Sequence, residues 1–287
     1  MPYYVFAWIA TSANALGGVI GKLSTKHQIS NPWLFNFVWS LLITVFTLPF
    51  ALAAHPSWPT HWGPLWLMGF FSMAAGLLFV FMLYAIDVSI IGPMFSLRTA
   101  VSVILGVLLF HERLFGSQLV LILLILVGGV VITVDERFSV KSFFNRSIAL
   151  ALITITCSSI YGATVKYAMQ FESYWSVTMW GNILAQVLLL PTIWFFRMDI
   201  RKIKWHQWSG VVGHSIFSTI GSAAQNAAYA VNIGISTAIM AVPLSMIFAI
   251  VFSVFAPKLL EKHTPKVYAI RLAGAIVMIL AAIRLSL

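Results

Sequence analysis

Residues 76–85 read GLLFVFMLYA, and residues 221–230, which lie 145 positions later, read GSAAQNAAYA. Both stretches begin with glycine and end with tyrosine and alanine. Further identities keep the same offset: Ile90, Phe110 and Gly129 recur as Ile235, Phe255 and Gly274. Single matches between apolar segments arise by chance, whereas a series at constant spacing does not. The spacing therefore predicts one structural unit that is written twice in the chain.

The composition places both copies in a membrane. Hydrophobic residues make up 61% of the chain and charged residues only 8%, whereas a soluble domain carries about a quarter charged residues. A bilayer-spanning helix needs about 20 apolar residues. Ten such segments follow one another with short connections: 3–21, 33–53, 64–84, 90–110, 117–134, 147–168, 174–196, 208–230, 235–256 and 267–285. The predicted fold class is therefore an all-α integral membrane protein with ten transmembrane helices.

Five of these spans fall in each copy, and we place the copies at 1–140 and 141–287. An odd number of spans reverses the direction of the second copy across the bilayer. The expected architecture is thus two five-helix repeats of inverted topology. Such repeats are a signature of secondary transporters, whose substrate site lies between the repeats near the bilayer midplane.

The net charge of +10 comes from short loops beside apolar spans, which favours an effect of membrane topology over nucleic-acid binding. Lysine and arginine concentrate in the loops that follow the odd-numbered spans. The positive-inside rule then predicts that both termini face away from the cytoplasm. We expect an integral multi-pass protein in the cytoplasmic (inner) membrane of a prokaryote. Cys157, the single cysteine, lies inside a predicted span and is expected to serve in packing.

The fourth span contains the run GPMFSLR at residues 92–98 and ends in GVLLFHER at residues 106–113. A lysine closes the first span of each copy, as Lys22 and Lys166. With these features, nearly the whole chain resembles the EamA-type members of the drug/metabolite transporter superfamily. The resemblance implies a ten-helix transporter with pseudo-twofold inverted symmetry, a central cavity, alternating access and small metabolites as substrates.

Two positions depart from the family pattern. Where the family usually has a proline in the fourth span, the second copy keeps Pro243 but the first has Arg98. The glutamate after the fourth span is present as Glu112, whereas the same offset in the second copy falls on Pro257. We expect the substrate to be recognised where the two copies differ. Pro93 and Pro243 are the predicted helix interruptions.

Arg98 is the leading candidate for substrate contact because a cation inside an apolar span costs at least ~3 kcal/mol. One interpretation is that its planar donor fork binds a carboxylate or phosphate in the cavity. Two others remain open, namely a buried ion pair with Glu112 or Asp87 and a side chain that extends to the nearer membrane surface. All seven acidic residues fall in loops or at span ends, so no carboxylate is expected near the midplane.

Span eight carries a polar stripe at helical spacing, which cannot comfortably face lipid because unpaired polar groups are costly there. The stripe consists of His214, Ser218, Ser222, Gln225 and Tyr229, with Asn226 adjacent. It predicts either a cavity lining or hydrogen bonds to a neighbouring helix. His214 is the candidate for proton coupling, and the alternative is an ordinary buried histidine.

Further candidates for substrate binding come from spans one, two and seven: Asn14, Trp39, Trp180 and Asn182. The two tryptophans lie deeper in their spans than interfacial tryptophans usually do. For Lys22 and Lys166, anchoring of the span ends at the positive side is the favoured interpretation, and small residues beside them allow close helix packing.

The sequence contains no nucleophile and base pair, metal-ligand cluster or nucleotide fingerprint, so we expect no catalytic residues, no metal and no cofactor. The expected function is a secondary-active or facilitative transporter, an exporter or exchanger, of a small polar or amphipathic metabolite, first an amino acid or amino-acid-like compound. The alternatives are a nucleotide or sugar-phosphate exchanger of the same superfamily and a membrane-embedded enzyme that modifies a lipid or isoprenoid. Expected partners are the substrate and the lipid bilayer, without nucleic acid, and the protein is expected to be a monomer or homodimer.

Overall fold

The structure is a computed structural model that describes residues 2–85, 91, 94–132, 146–255 and 265–287. The described residues form helices and contain no strand. The helices are α1 (Tyr3–His27), α2 (Pro32–Ala53), α3 (Trp62–Ala85), α4 (Leu97–Phe110), α5 (Gly116–Ile132), α6 (Arg146–Ala168), α7 (Tyr174–Leu189), α8 (Ser209–Val231), α9 (Ile233–Met240), α10 (Leu244–Phe255) and α11 (Pro265–Ser286). The all-α fold predicted from composition is confirmed.

Six of the described helices are long and apolar enough to cross a membrane, and they correspond to α1, α2, α3, α6, α7 and α11. Helices α4 and α5 are apolar but shorter, as is the segment that contains α9. Helix α8 has 23 residues and falls outside the long apolar group because its polar stripe lowers its hydropathy. Composition, and not length, thus separates α8 from its neighbours.

The helices of the two halves of the chain interlock in pairs. Helix α1 packs along α8, and the corresponding pair with the halves exchanged, α6 and α3, also packs closely. The same exchange relates α2–α8 to α7–α3, and α4–α6 to α9–α1. The remaining large contacts join equivalent helices, as in α2–α7, α4–α9 and α5–α11. The contact pattern is therefore nearly unchanged when the two halves are swapped.

The α1–α8 contact is close because small residues line it. The faces of Gly17 and Gly21 pack against the His214 ring, and a Cβ atom on Gly21 would lie 3.0 Å from His214 Nδ1. On the opposite helix, a Cβ atom on Gly221 would overlap the Asn14 side chain. Glycine at these positions lets the two helices approach while polar side chains stay between them.

The span predicted over residues 235–256 is interrupted at Pro243, the position at which a helix interruption is predicted. The structure ends α9 at Met240 and begins α10 at Leu244. Pro243 lies in the break, where its missing N–H and its ring prevent a continuous α-helical hydrogen-bond ladder. Pro93, the other predicted interruption, lies outside the described residues. Near the end of α7, Pro191 similarly coincides with a change to a 3-10 helix over Leu190–Phe195.

Candidate functional site

A cavity of about 290 Å³ lies between the two halves of the chain. Its walls come from α1, α2, α3, α4, α6, α7 and α8, and from the break between α9 and α10. Most of the predicted site residues line it: Asn14, Trp39, Arg98, Asn182, His214, Ser218, Ser222 and Gln225. The polar stripe of span eight thus faces the cavity over most of its length, which is the first of the two arrangements that the cost of exposing polar groups to lipid allows.

Three predicted residues do not line the cavity. Tyr229 and Asn226 lie behind its wall, where both are buried. Asn226 Oδ1 accepts a hydrogen bond from the Tyr161 hydroxyl at 2.9 Å, so these side chains support lining residues. Trp180 lies against Trp58 and Trp62, with ring centroids 4.9 and 5.2 Å away. Aromatic packing of this edge-to-face kind holds the ring away from the cavity.

Arg98 is buried and makes no ion pair within the described part of the chain. Its Nη2 donates to the Ser158 carbonyl at 3.2 Å and to the Tyr229 hydroxyl. The guanidinium also lies over the Tyr229 ring, 5.6 Å from the centroid. The Nε atom has no hydrogen-bond partner among the described residues. Neutral oxygens and an aromatic face orient the cation, but no described carboxylate neutralises it.

His214 is 2% exposed and held from three sides. Its ring lies 4.8 Å from Trp39 and 5.5 Å from Phe35. Nδ1 lies 2.7 Å from the Gly17 carbonyl oxygen, and because a carbonyl can only accept, Nδ1 carries the proton. In the neutral ring Nε2 is then an acceptor, and it has no partner among the described residues. His214 therefore presents a fixed tautomer at the cavity wall.

The charge of the lining is unbalanced. Among the described residues that line the cavity, Arg98 carries a full positive charge and none carries a carboxylate. The other polar groups are neutral amides and hydroxyls such as Asn14, Gln225 and Ser222. An uncompensated buried cation strongly favours an anionic group nearby. The site is suited to a ligand that brings its own negative charge.

Several lining residues were not predicted. Tyr161, Phe79 and Phe95 contribute aromatic surface, and Ser72 and Ser245 contribute hydroxyls. Their spacing carries no distinctive signal, because an aromatic ring or a lone serine in an apolar helix can equally face lipid or a neighbouring helix. The side of the helix that faces the cavity becomes visible only once the helices are packed.

Glu112 joins the two halves at a second polar centre, which we call the Glu112 junction. Its carboxylate accepts hydrogen bonds from Lys166 Nζ at 2.7 Å, Ile233 N at 2.7 Å and Gly234 N at 3.1 Å. Lys166 also donates to the Val231 carbonyl at 2.9 Å. The pair therefore ties the end of α4 to the end of α8 and to the first residues of α9, where a negative charge is favoured by the helix dipole.

The junction corrects two interpretations of the sequence. Glu112 is the partner of Lys166 rather than of Arg98, and Asp87 lies outside the described residues. The lysines that close the first spans are not surface anchors, since Lys22 is buried and donates to the Leu83 carbonyl at 2.8 Å. Both lysines thus bind a carbonyl near the end of a helix in their own half, which repeats one contact in each half of the chain.

Comparison with known proteins gives a family and a fold. The model of the EamA-like transporter family matches residues 1–134 and 145–287. No curated protein matches the sequence. Among 28 chains of solved structures that match, one crystal structure has a TM-score of 0.72 at 15% sequence identity, and the alignment covers 99% of this chain and 98% of that chain. At this identity the similarity shows a shared fold alone.

Proposed function

The chain belongs to the EamA-like transporter family of the drug/metabolite transporter superfamily, and from this premise we propose that it moves a small polar or amphipathic metabolite across the membrane by alternating access. The protein is an integral multi-pass membrane protein. We propose a secondary-active or facilitative carrier, an exporter or exchanger, whose substrate is an amino acid or an amino-acid-like compound. The following observations support this choice.

The observation that carries the proposal is the uncompensated Arg98 in a cavity of about 290 Å³. A carboxylate can occupy the space beside its guanidinium, while amides and hydroxyls of α1 and α8 can bind a polar head group. The rings of Trp39 and Phe79 offer an apolar surface for a side chain. Ligand cavities commonly measure about 300–1,000 Å³, so this one matches a small metabolite.

The proposed architecture is ten spans in two inverted repeats at 1–140 and 141–287. The helix contacts support it, since the large contacts α1–α8, α2–α8 and α4–α6 recur with the halves swapped. Inverted repeats place a site between them that each half can expose in turn. We further propose that both termini face away from the cytoplasm, in the inner membrane of a prokaryote, and that the carrier acts as a monomer or homodimer.

Two other functions are less well supported. A nucleotide or sugar-phosphate exchanger would need more room and usually more cations than the one arginine among the described lining residues. A membrane-embedded enzyme for lipids or isoprenoids would need clustered acids, histidines or a metal site. The described part of the chain contains no group of three or more metal-ligating side chains, and we propose transport without catalytic residues or cofactor.

Flux into sealed liposomes tests the proposed function. The purified protein is reconstituted, the liposomes are preloaded with unlabelled amino acids, and uptake of labelled amino acids, nucleotides and sugar phosphates is measured. We expect saturable counterflow for at least one amino acid or related zwitterion. Counterflow only of nucleotides would select the second candidate, and chemical conversion without flux would indicate an enzyme.

A substitution at His214 tests how transport is driven. Because the described lining has no carboxylate and His214 presents a fixed tautomer, we expect exchange that does not require a proton gradient. The variant His214→Asn keeps a donor for the Gly17 carbonyl but cannot titrate near neutral pH. Its counterflow is expected to stay within about threefold of the wild type, since about 0.6 kcal/mol corresponds to that factor.

One outcome would contradict transport that is independent of a proton gradient. If a pH gradient drives accumulation by the wild type, and His214→Asn loses this accumulation while it retains exchange, then His214 is the coupling residue. Expression level and thermal stability of the two proteins, measured in the same detergent, serve as the controls.

A further inference from the structure

The segment between α7 and α8 combines exposed aromatic and cationic side chains, and we call residues 190–208 the basic aromatic segment. Trp194 is 68% exposed and Trp205 is 91% exposed. The cations are Arg197, Arg201, Lys202 and Lys204, all of them exposed. Single exposed apolar residues are common. Two exposed tryptophans among four cations within so short a segment instead indicate a binding surface.

Three of the four cations form no ion pair with a described residue. Asp199 is the one acidic residue of the segment, and it is bound by Lys202 Nζ at 2.9 Å and by Asn31 Nδ2 at 2.8 Å. These hydrogen bonds, that of Lys202 first, hold the pKa of the Asp199 carboxyl below its usual range. Arg201 and Lys204 make no ion pair with any described residue. Their charges remain available to an external anion.

The segment is held in place by the connection between α1 and α2. Asn31 Nδ2 donates to the Phe195 carbonyl at 3.3 Å, and Gln207 Nε2 donates to the Gln28 carbonyl at 3.2 Å. Phe196 is 1% exposed and packs 5.2 Å from the Phe37 ring. The backbone that carries the cationic groups is therefore held in place by contacts with both halves of the chain.

A cation–aromatic pair orients one of the exposed cations of the segment. The guanidinium of Arg197 lies 3.8 Å from the centre of the Trp194 ring, a contact that orients the donor fork while it leaves the N–H edges exposed. Tryptophan beside the end of a membrane helix commonly lies at the level of the lipid headgroups. At that level the anions available in quantity are the phosphates of anionic lipids.

We propose that the basic aromatic segment binds the headgroups of anionic phospholipids in the leaflet it faces. Arg201 and Lys204 bind the headgroup phosphates, and Trp194 and Trp205 insert at the interface. The segment joins α7 and α8, which carry Asn182 and His214 to the cavity wall. A bound lipid layer thereby restrains the position of two helices that line the site. Lipid binding is a property separate from the proposed transport, and its test does not require a transport measurement.

The test compares two double variants of equal charge change. Arg201→Gln/Lys204→Gln removes two cations of the segment that form no ion pair with a described residue, whereas Arg113→Gln/Arg284→Gln removes two exposed cations elsewhere. Each protein is reconstituted in mixed phosphatidylcholine and phosphatidylglycerol vesicles and extracted, and the ratio of the two lipids that remain bound is measured. Each cation near the membrane surface raises the affinity for anionic lipid by about fivefold. We therefore expect the first variant to lose phosphatidylglycerol enrichment by roughly tenfold or more and the second to keep it.

Equal enrichment in the wild type and both variants would overturn the proposal. So would displacement of phosphatidylglycerol by inorganic phosphate at millimolar concentration, because the surface would then be a general anion site. A test on the wild type alone avoids any effect of substitution: raising the ionic strength from about 0.1 M to about 1 M shortens the screening length from about 10 Å to about 3 Å. Enrichment should fall under that change, and enrichment that is insensitive to salt would contradict binding by exposed cations.

Discussion

Arg98→Ala is expected to reduce transport of anionic and zwitterionic substrates by about a hundredfold and that of neutral analogues by no more than a few fold. The guanidinium is buried, and within the described part of the chain it makes no ion pair and its Nε has no hydrogen-bond partner. A substrate carboxylate would supply the missing charge. Loss of one partner of a buried charged pair costs about 2–5 kcal/mol, and a hundredfold change corresponds to about 2.7 kcal/mol.

Two companion variants distinguish recognition from support. Arg98→Lys keeps the charge but loses the planar donor fork, so it should recover part of the anionic transport. Tyr229→Phe removes the hydroxyl that accepts from Arg98 and keeps the ring beneath the guanidinium. Because Tyr229 lies behind the wall, we expect Tyr229→Phe to weaken transport less than Arg98→Ala does.

The measurement is counterflow in liposomes with matched pairs of substrates, for example an amino acid and its uncharged amide or ester derivative. Thermal unfolding of each variant in detergent is recorded alongside. Equal losses for charged and neutral substrates, together with a lowered melting temperature, would show that Arg98 stabilises the packing of α4 against α6 and α8 and does not recognise the substrate.

Much of the cavity could be predicted from the sequence because of one physical constraint. A polar side chain in a membrane helix must avoid lipid, so the stripe of α8 could be assigned to the interior. His214, Ser218, Ser222 and Gln225 line the cavity accordingly. The same constraint does not distinguish a cavity from a helix contact, which is why Tyr229 and Asn226 were included although they lie behind the wall.

Other features depend on packing that no local pattern records. Phe79 and Phe95 line the cavity, yet a phenylalanine side chain is equally stable when it faces lipid. Glu112 and Lys166 lie 54 positions apart in sequence, and only the docking of α4 against α6 brings them together. Trp180 lies deep in its span, but its ring packs against neighbouring tryptophans rather than into the cavity.

The Glu112 junction supports the second large prediction. Glu112→Ala is expected to lower the free energy of unfolding by about 3–5 kcal/mol, because it leaves Lys166 with a buried and unpaired charge. The side chains of Glu112 and Lys166 are only 4% and 15% exposed. The substitution also removes the acceptor for the first two N–H groups of α9, which no intrahelical carbonyl can replace.

A double-mutant cycle separates these contributions. Lys166→Met alone leaves the Glu112 carboxylate without its cation but still bound to Ile233 N and Gly234 N, so its cost should be smaller than that of Glu112→Ala. In Glu112→Ala/Lys166→Met neither charge of the pair remains, and the double variant should be more stable than the sum of the two single losses predicts. Strictly additive losses would contradict a coupled ion pair.

Gly106→Ala perturbs the same junction without removing either charge. A Cβ atom at this position would lie 2.9 Å from the Glu112 Cδ atom, and His111, with φ of 51°, turns the chain so that Glu112 folds back over α4. The carboxylate must therefore shift, and its bonds to Lys166 and to α9 must lengthen.

Because the junction ties α4 in one half to α8 and α9 in the other, we expect Gly106→Ala to reduce counterflow severalfold and to lower the melting temperature less than Glu112→Ala does. If Gly106→Ala weakens the coupling energy between Glu112 and Lys166 but leaves flux at the wild-type level, the junction stabilises the fold without affecting transport.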